Sequence, residues 1–150
     1  MLAKIETVES APRHTVARTY LDPRPMSFQF RQGRFVHIEA LIKAIVAKKG
    51  SCRIIDIGGT EYYWEIAGDL IQRAPVEIDL VNLDAVPVTK PRLRSLAGDA
   101  TRLDDLADNS YDLVHSNSVI EHVGDWDAMV RMAANVRRLA PSYYLQTPNF

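Results

Sequence analysis

Arg53-Ile54-Ile55-Asp56-Ile57-Gly58-Gly59-Thr60 runs from a short apolar segment into an acid and then into two glycines. An amphipathic stretch follows at once from Glu61. That order reads as a buried strand, a tight turn and a helix, the unit from which open α/β sheets build nucleotide sites. Glycines let the backbone approach a ligand closely, and a helix start offers unpaired N–H groups. Three further strand-like runs downstream also stop at an acid or an amide: Asp84, Asp99 and Asn117.

Working outward, residues 1–32 are polar and irregular, with Pro12, Pro23 and Pro25, and read as an N-terminal arm or lid. Arg24, Arg31 and Arg34 read as solvated surface charges. A helix is expected over 33–49, where Phe35, Ile38, Leu41, Ile42, Ile45 and Val46 recur at helical spacing. Lys48 and Lys49 suit its C-terminal dipole and Gly50 the position after it. Cys52 to Ile57 has the continuous apolar character of a strand covered on both faces. Thr60 caps a second helix over 61–73, which Pro75 closes. Strands follow at 76–83, 94–97, 111–115 and 142–146. Pro87 and Pro91 argue for a loop between the second and third strands. Leu103 and Leu106 suggest a brief helical turn before the fourth. Trp126, Met129, Val130, Ala133 and Val136 form the stripe of a last helix, with Asp125 and Asp127 at its start and Arg137 and Arg138 at its end. Strands alternating with mostly helical crossovers predict a Rossmann-like α/β fold: an open, mostly parallel sheet with helices on both faces.

Bulk properties narrow the functional classes. The 150 residues, 47% hydrophobic and 25% charged, suffice for one domain with a real core. A formal net charge of −1 argues against nucleic-acid or membrane binding through a basic surface. Cys52 is the only cysteine, so no intrachain disulfide forms, and it reads as a small core residue. No apolar stretch approaches a membrane span, and residues 1–15 lack the apolar core of a signal peptide, so a cytoplasmic location is expected. His14, His37 and His115 show no metal-ligand spacing, and no metal is expected.

Ligands of such sheets bind outside the carboxyl ends of the strands, where Asp56, Asp84, Asp99 and Asn117 would converge. An acid at the end of strand two, here Asp84, accepts hydrogen bonds from ribose hydroxyls. Asp99 is placed to accept from an exocyclic amine such as that of adenine. Asn117 offers both donor and acceptor. The glycine pattern is not G-x-G-x-x-G, and the acid before it would face a pyrophosphate unfavourably. A ligand with an ammonium or sulfonium charge suits that acid better.

Asp56-x-Gly58-Gly59-Thr60, Asn82-Leu83-Asp84, Gly98-Asp99-Ala100 and the run Tyr111 to Val123 together resemble the successive motifs of class I S-adenosylmethionine-dependent methyltransferases, in the branch that methylates small molecules. The resemblance spans residues 33–150 and implies S-adenosylmethionine as cofactor and a small-molecule methyl acceptor. It implies that Asp56, Gly58, Gly59 and Thr60 turn around the methionine part, that Asp84 takes the ribose, that Asp99 and Ala100 flank the adenine, and that Asn117 lies below the sulfonium. His122, which follows Glu121 after strand four, is the candidate general base; its alternative role is to orient the loop through a backbone carbonyl. The family's third glycine is replaced by Glu61 or Tyr62. Its sheet usually has seven strands, the last two an antiparallel pair beside strand five. In the expected order 3-2-1-4-5 the present chain is therefore truncated, and strand 142–147 is an edge expected to pair with a second copy or a partner. Two other readings carry less of the pattern. One is a non-catalytic S-adenosylmethionine-binding or interaction module. The other is a nicotinamide-dependent oxidoreductase, which Asp84 favours and the Asp-x-Gly-Gly turn opposes.

Overall fold

Cys52–Ile57 forms β1, a six-residue strand at the centre of the sheet. The computed structural model describes residues 26–148. On one side β1 pairs in parallel with β2 (Val76–Asn82), from Cys52 opposite Val76 to Ile57 opposite Val81. On the other it pairs with β4 (Leu113–Asn117). The edges are β3 (Leu93–Ala97), beside β2, and β5 (Ser142–Gln146), beside β4. All four pairings are parallel and the order is β3-β2-β1-β4-β5. The Rossmann-like order read from the sequence is thus the one observed.

The continuous apolar run of β1 has a direct cause. Cys52 and Ile54 face one core and Ile55 and Ile57 the other, because successive side chains alternate across a strand. The first core is closed by α1 (Met26–Lys49) through Phe35, Ile38 and Ile42, and by α2 (Glu61–Trp64) and α3 (Asp69–Arg73) through Trp64 and Ile71. The second is closed by α4 (Trp126–Leu139) through Met132, Val136 and Leu139. These three side chains are essentially water-free, and each contributes roughly 1.5–3 kcal/mol by burial. Asp125 caps α4 by accepting from the Ala128 N–H at 2.8 Å.

Several boundaries differ from the sequence reading. Helix α1 begins at Met26 rather than at 33, directly after Pro25; no breaker other than the tolerated Gly33 interrupts it. The expected arm at 1–32 is therefore helical backbone from residue 26, and its remainder, with Arg24 and His14, lies outside the described residues. The helix expected over 61–73 is broken into α2, a 3₁₀ turn at Glu65–Ala67 and α3. The break falls at Gly68, whose φ of 43° and ψ of −119° only glycine adopts cheaply. Strand β4 starts two residues later than expected. Tyr111 and Asp112 are held instead by their N–H bonds to Leu139 and Arg53 carbonyls, while the Asp112 carboxylate accepts from the Arg53 N–H and Lys49.

Neither of the crossovers flanking β3 is helical. The loop after β2 is tied to α2 by Glu61, whose carboxylate accepts from Thr89 N–H at 2.9 Å, Thr89 Oγ1 at 2.6 Å and Lys90 N–H at 3.0 Å. The Thr89 hydroxyl bond is the main reason the Glu61 carboxyl is held below its ordinary range. Glu61 thus has a structural task of its own. After β3, Leu103 and Leu106 form only a single turn. The Arg138 guanidinium fixes it by donating to the Leu106 carbonyl at 2.6 Å, the Leu103 carbonyl and Asp108 Oδ1 at 3.0 Å.

Candidate cofactor site

The carboxyl ends of β1, β2 and β3 open onto a cleft of about 370 Å³. Ile57, Val81, Val119 and Val123 give it apolar walls; Gly58, Asp99, Ala100 and His122 also line it. Its size falls in the range of small-molecule sites.

The β1–α2 turn forms one end. Gly58 has φ +75°, and an added Cβ would stand 2.3 Å from Val119 Cγ2. Gly59 has a different requirement: its Cβ would lie 2.0 Å from Asp56 Oδ2. The two glycines therefore admit Val119 and the Asp56 carboxylate to the turn. The Asn82 side chain reaches across from β2 and donates to the Gly59 carbonyl at 2.9 Å. Thr60 caps α2 as expected, its hydroxyl accepting from the Tyr63 N–H at 3.3 Å.

Asp56 lies beneath this turn and does not line the cleft. It is 1% exposed. Its Oδ1 accepts from His115 Nδ1 at 2.7 Å and its Oδ2 from Trp64 Nε1 at 2.7 Å. The bond to a carboxylate fixes the proton on Nδ1 of His115, whose buried Nε2 meets no partner among the described residues. Contrary to the expectation of contact with a cationic ligand, the Asp56 carboxylate is turned inward, beneath Gly59. The pairing of His115 with Asp56 is what sequence reasoning passed over. The signal was present in the topology: once β1 and β4 are neighbours, Asp56 and His115 stand directly opposite in register.

Asp84 is exposed, two residues beyond β2, next to Leu83, which is 77% exposed and lines the cleft. Asp99 follows β3 by two residues. Its Oδ1 accepts from the Thr101 N–H and hydroxyl, both at 2.8 Å. The backbone bond first, and then the hydroxyl, hold its carboxyl below the ordinary range. Ala100 is buried beside it, its carbonyl accepting from Asn135 Nδ2 at 2.9 Å. Asn117 ends β4, half-buried and outside the cleft lining; its Oδ1 accepts from the Ser118 hydroxyl at 3.3 Å. His122 is exposed on a 3₁₀ turn (Ile120–His122), and its N–H donates to the Val119 carbonyl at 2.8 Å. Gly58, Asp99, Ala100 and His122 thus share one cleft. Asp84 stands exposed beyond the end of β2, Thr60 and Gly59 build the turn, and Asp56 supports it from below.

Several solved structures are similar to this chain. A putative methyltransferase from an antibiotic biosynthesis pathway of Anabaena variabilis is 22% identical, with a TM-score of 0.48 over 67% of this chain and 41% of that one. An arsenic(III) S-adenosylmethionine methyltransferase from Chlamydomonas reinhardtii is 23% identical, with a TM-score of 0.46 over 59% of this chain and 35% of that one. The 1,6-didemethyltoxoflavin-N1-methyltransferase of Burkholderia thailandensis, solved with 1,6-didemethyltoxoflavin and S-adenosylhomocysteine, is 19% identical, with a TM-score of 0.45 over 92% of this chain and 63% of that one. The chain spans less than two thirds of the length of each of these structures. No curated protein matches it. A family model described as a methyltransferase domain matches residues 44–140, well over half of the sequence. The chain belongs to that methyltransferase domain family, whose cofactor is S-adenosylmethionine.

Proposed function

We propose that this domain transfers a methyl group from S-adenosylmethionine to a small-molecule acceptor, with the cofactor seated along the carboxyl edge of β1, β2 and β3. The observation that carries this reading is the cleft itself. One apolar space is bordered by a positive-φ glycine, an exposed leucine beside an acid, and a second acid held ionised. The donor set fits the cofactor. An adenine laid against Leu83 would remove its exposed surface from water, and Asp99 is a suitable acceptor for the exocyclic amine. Asp84 suits the ribose hydroxyls. The turn 58–60 receives the methionine part, and Asn117 stands below the sulfonium.

When bound, S-adenosylmethionine supplies an electrophilic methyl carbon and leaves as a neutral thioether. The protein's part is chiefly alignment, since positioning alone can supply much of the rate. The acceptor heteroatom or carbon gains the methyl and loses its proton. His122, on the cleft wall, is the side chain proposed to take that proton.

Calorimetry with S-adenosylhomocysteine tests the reading. Saturable binding to the folded protein supports it, and no binding at millimolar ligand overturns it.

Two further proposals attach to it. A cytoplasmic location is proposed from the sequence; among the described residues no helix is long and apolar enough to cross a membrane. Among the described residues strand β5 has one neighbour, β4, and its Tyr143 is 57% exposed. Such edges recruit further strands, so pairing with a second copy or a partner is proposed there. Light scattering that finds only monomer at high concentration would count against a homodimer.

A further inference from the structure

Asp56, His115 and Trp64 are each 1% exposed, and none of them lines the cleft. A carboxylate is tolerated at such depth only when its oxygens are satisfied. Both donors described above, the His115 ring and the Trp64 indole, come from behind the site. Neither donor has room to turn. The His115 ring is stacked against Tyr63 at 4.9 Å and 30° on one hand and against Tyr144 at 6.0 Å and 8° on the other. The Trp64 ring meets His115 at 5.4 Å and Phe35 at 6.1 Å, both edge-on. The carboxylate so fixed is the floor of Gly59, while Asn82 holds the same residue by its carbonyl.

We infer that His115 and Trp64 are positioning residues for the cofactor: by clamping Asp56 under Gly59 they fix the turn 58–60 that receives the methionine part of S-adenosylmethionine. This rests on the proposed assignment of that turn. The clamp joins β1, β4 and α2 at one carboxylate. Loosening either donor lets the turn shift without touching the adenine end, which is formed by Leu83 after β2 and Asp99 after β3.

That asymmetry gives the test. S-adenosylhomocysteine carries the amino-acid part, whereas 5′-methylthioadenosine keeps the adenosine and thioether and lacks it. Calorimetry with both ligands is run on the wild type, Trp64→Phe, His115→Gln and His115→Asn, with circular dichroism confirming the fold. Trp64→Phe and His115→Gln should each weaken S-adenosylhomocysteine about tenfold, the usual consequence of losing one bond to a carboxylate. Binding of 5′-methylthioadenosine should stay within about twofold of the wild type. His115→Asn should restore most of the loss, because its amide nitrogen stands where Nδ1 stood. Equal weakening of both ligands would overturn the inference, as would unchanged S-adenosylhomocysteine affinity in Trp64→Phe and His115→Gln. Should His115→Gln not fold, Trp64→Phe against His115→Asn reads the same contrast. A wild type that binds neither ligand overturns the cofactor assignment and this inference with it.

Discussion

Gly58 and Val119 meet with no space for one more carbon: an added Cβ at Gly58 would stand 2.3 Å from Val119 Cγ2 and 3.3 Å from Cγ1. The contact joins the turn after β1 to the segment after β4. Gly58→Ala faces both this clash and a φ of +75°, and should cost about 2–4 kcal/mol in urea unfolding. Adding Val119→Ala should recover the clash and leave the backbone cost of roughly 1–2 kcal/mol. A double-mutant cycle with additive effects would show that the two residues are not coupled.

The Asp99 carboxyl is depressed chiefly by the Thr101 N–H and then by its hydroxyl. A depressed carboxyl contributes stability that is present above its unfolded pKa, about 3.9, and is lost as pH falls through the lower folded value. Thr101→Val should therefore move acid unfolding to higher pH. At neutral pH Asp99 is an acceptor only, so Asp99→Asn should weaken S-adenosylhomocysteine roughly tenfold in calorimetry. Undiminished affinity would remove Asp99 from the adenine site.

Burial first, and Asp112 second, push the Cys52 thiol up to about 12, with Lys49 opposing. The native thiol should not react with aromatic disulfide reagents at pH 8, and should react once the chain is unfolded. The sign of the pH effect follows from the same shift. The unfolded thiol loses its proton near pH 8.5 while the folded one keeps it, so this contribution to stability is full below about pH 8.5 and is lost as pH rises towards 12. Cys52→Ala should flatten that part of the stability profile measured in urea.

His122→Asn should leave S-adenosylhomocysteine affinity within about twofold, since the cofactor contacts proposed above do not include the ring. Turnover with an acceptor should fall by a factor of about 10²–10⁴. A variant with full turnover would leave the ring only a loop-orienting task.

Legibility in the sequence followed the range of the interactions. β1 and β5 match their expected limits because each is a short apolar run bounded by turn residues. The extent of α4 was equally plain, but its buried face is Ala128, Met132, Val136 and Leu139 rather than the expected stripe, of which Trp126 and Val130 are exposed. The break at Gly68 was missed because periodicity continues through it; only the positive φ betrays it. Glu61 was read as a departure from a glycine pattern, since its partners Thr89 and Lys90 lie 28 and 29 residues away. At the site, Asp99, Ala100, Gly58 and His122 came together on one cleft as residue types at strand ends suggest. The inward commitment of Asp56 was hidden, because His115 is 59 residues distant and becomes its neighbour only through sheet order.

The turn after β3 has a consequence on the timescale of backbone opening. Ala100 is held by Asn135, and Leu103, Leu106 and Asp108 by Arg138, all from the last turns of α4. The Asn109 N–H closes the set on the Arg138 carbonyl at 2.8 Å. Segment 100–109 and the end of α4 should therefore behave as one cooperative unit and exchange their amide hydrogens together. A ligand that rests on Ala100 would slow exchange as far away as Leu139, well beyond anything it touches.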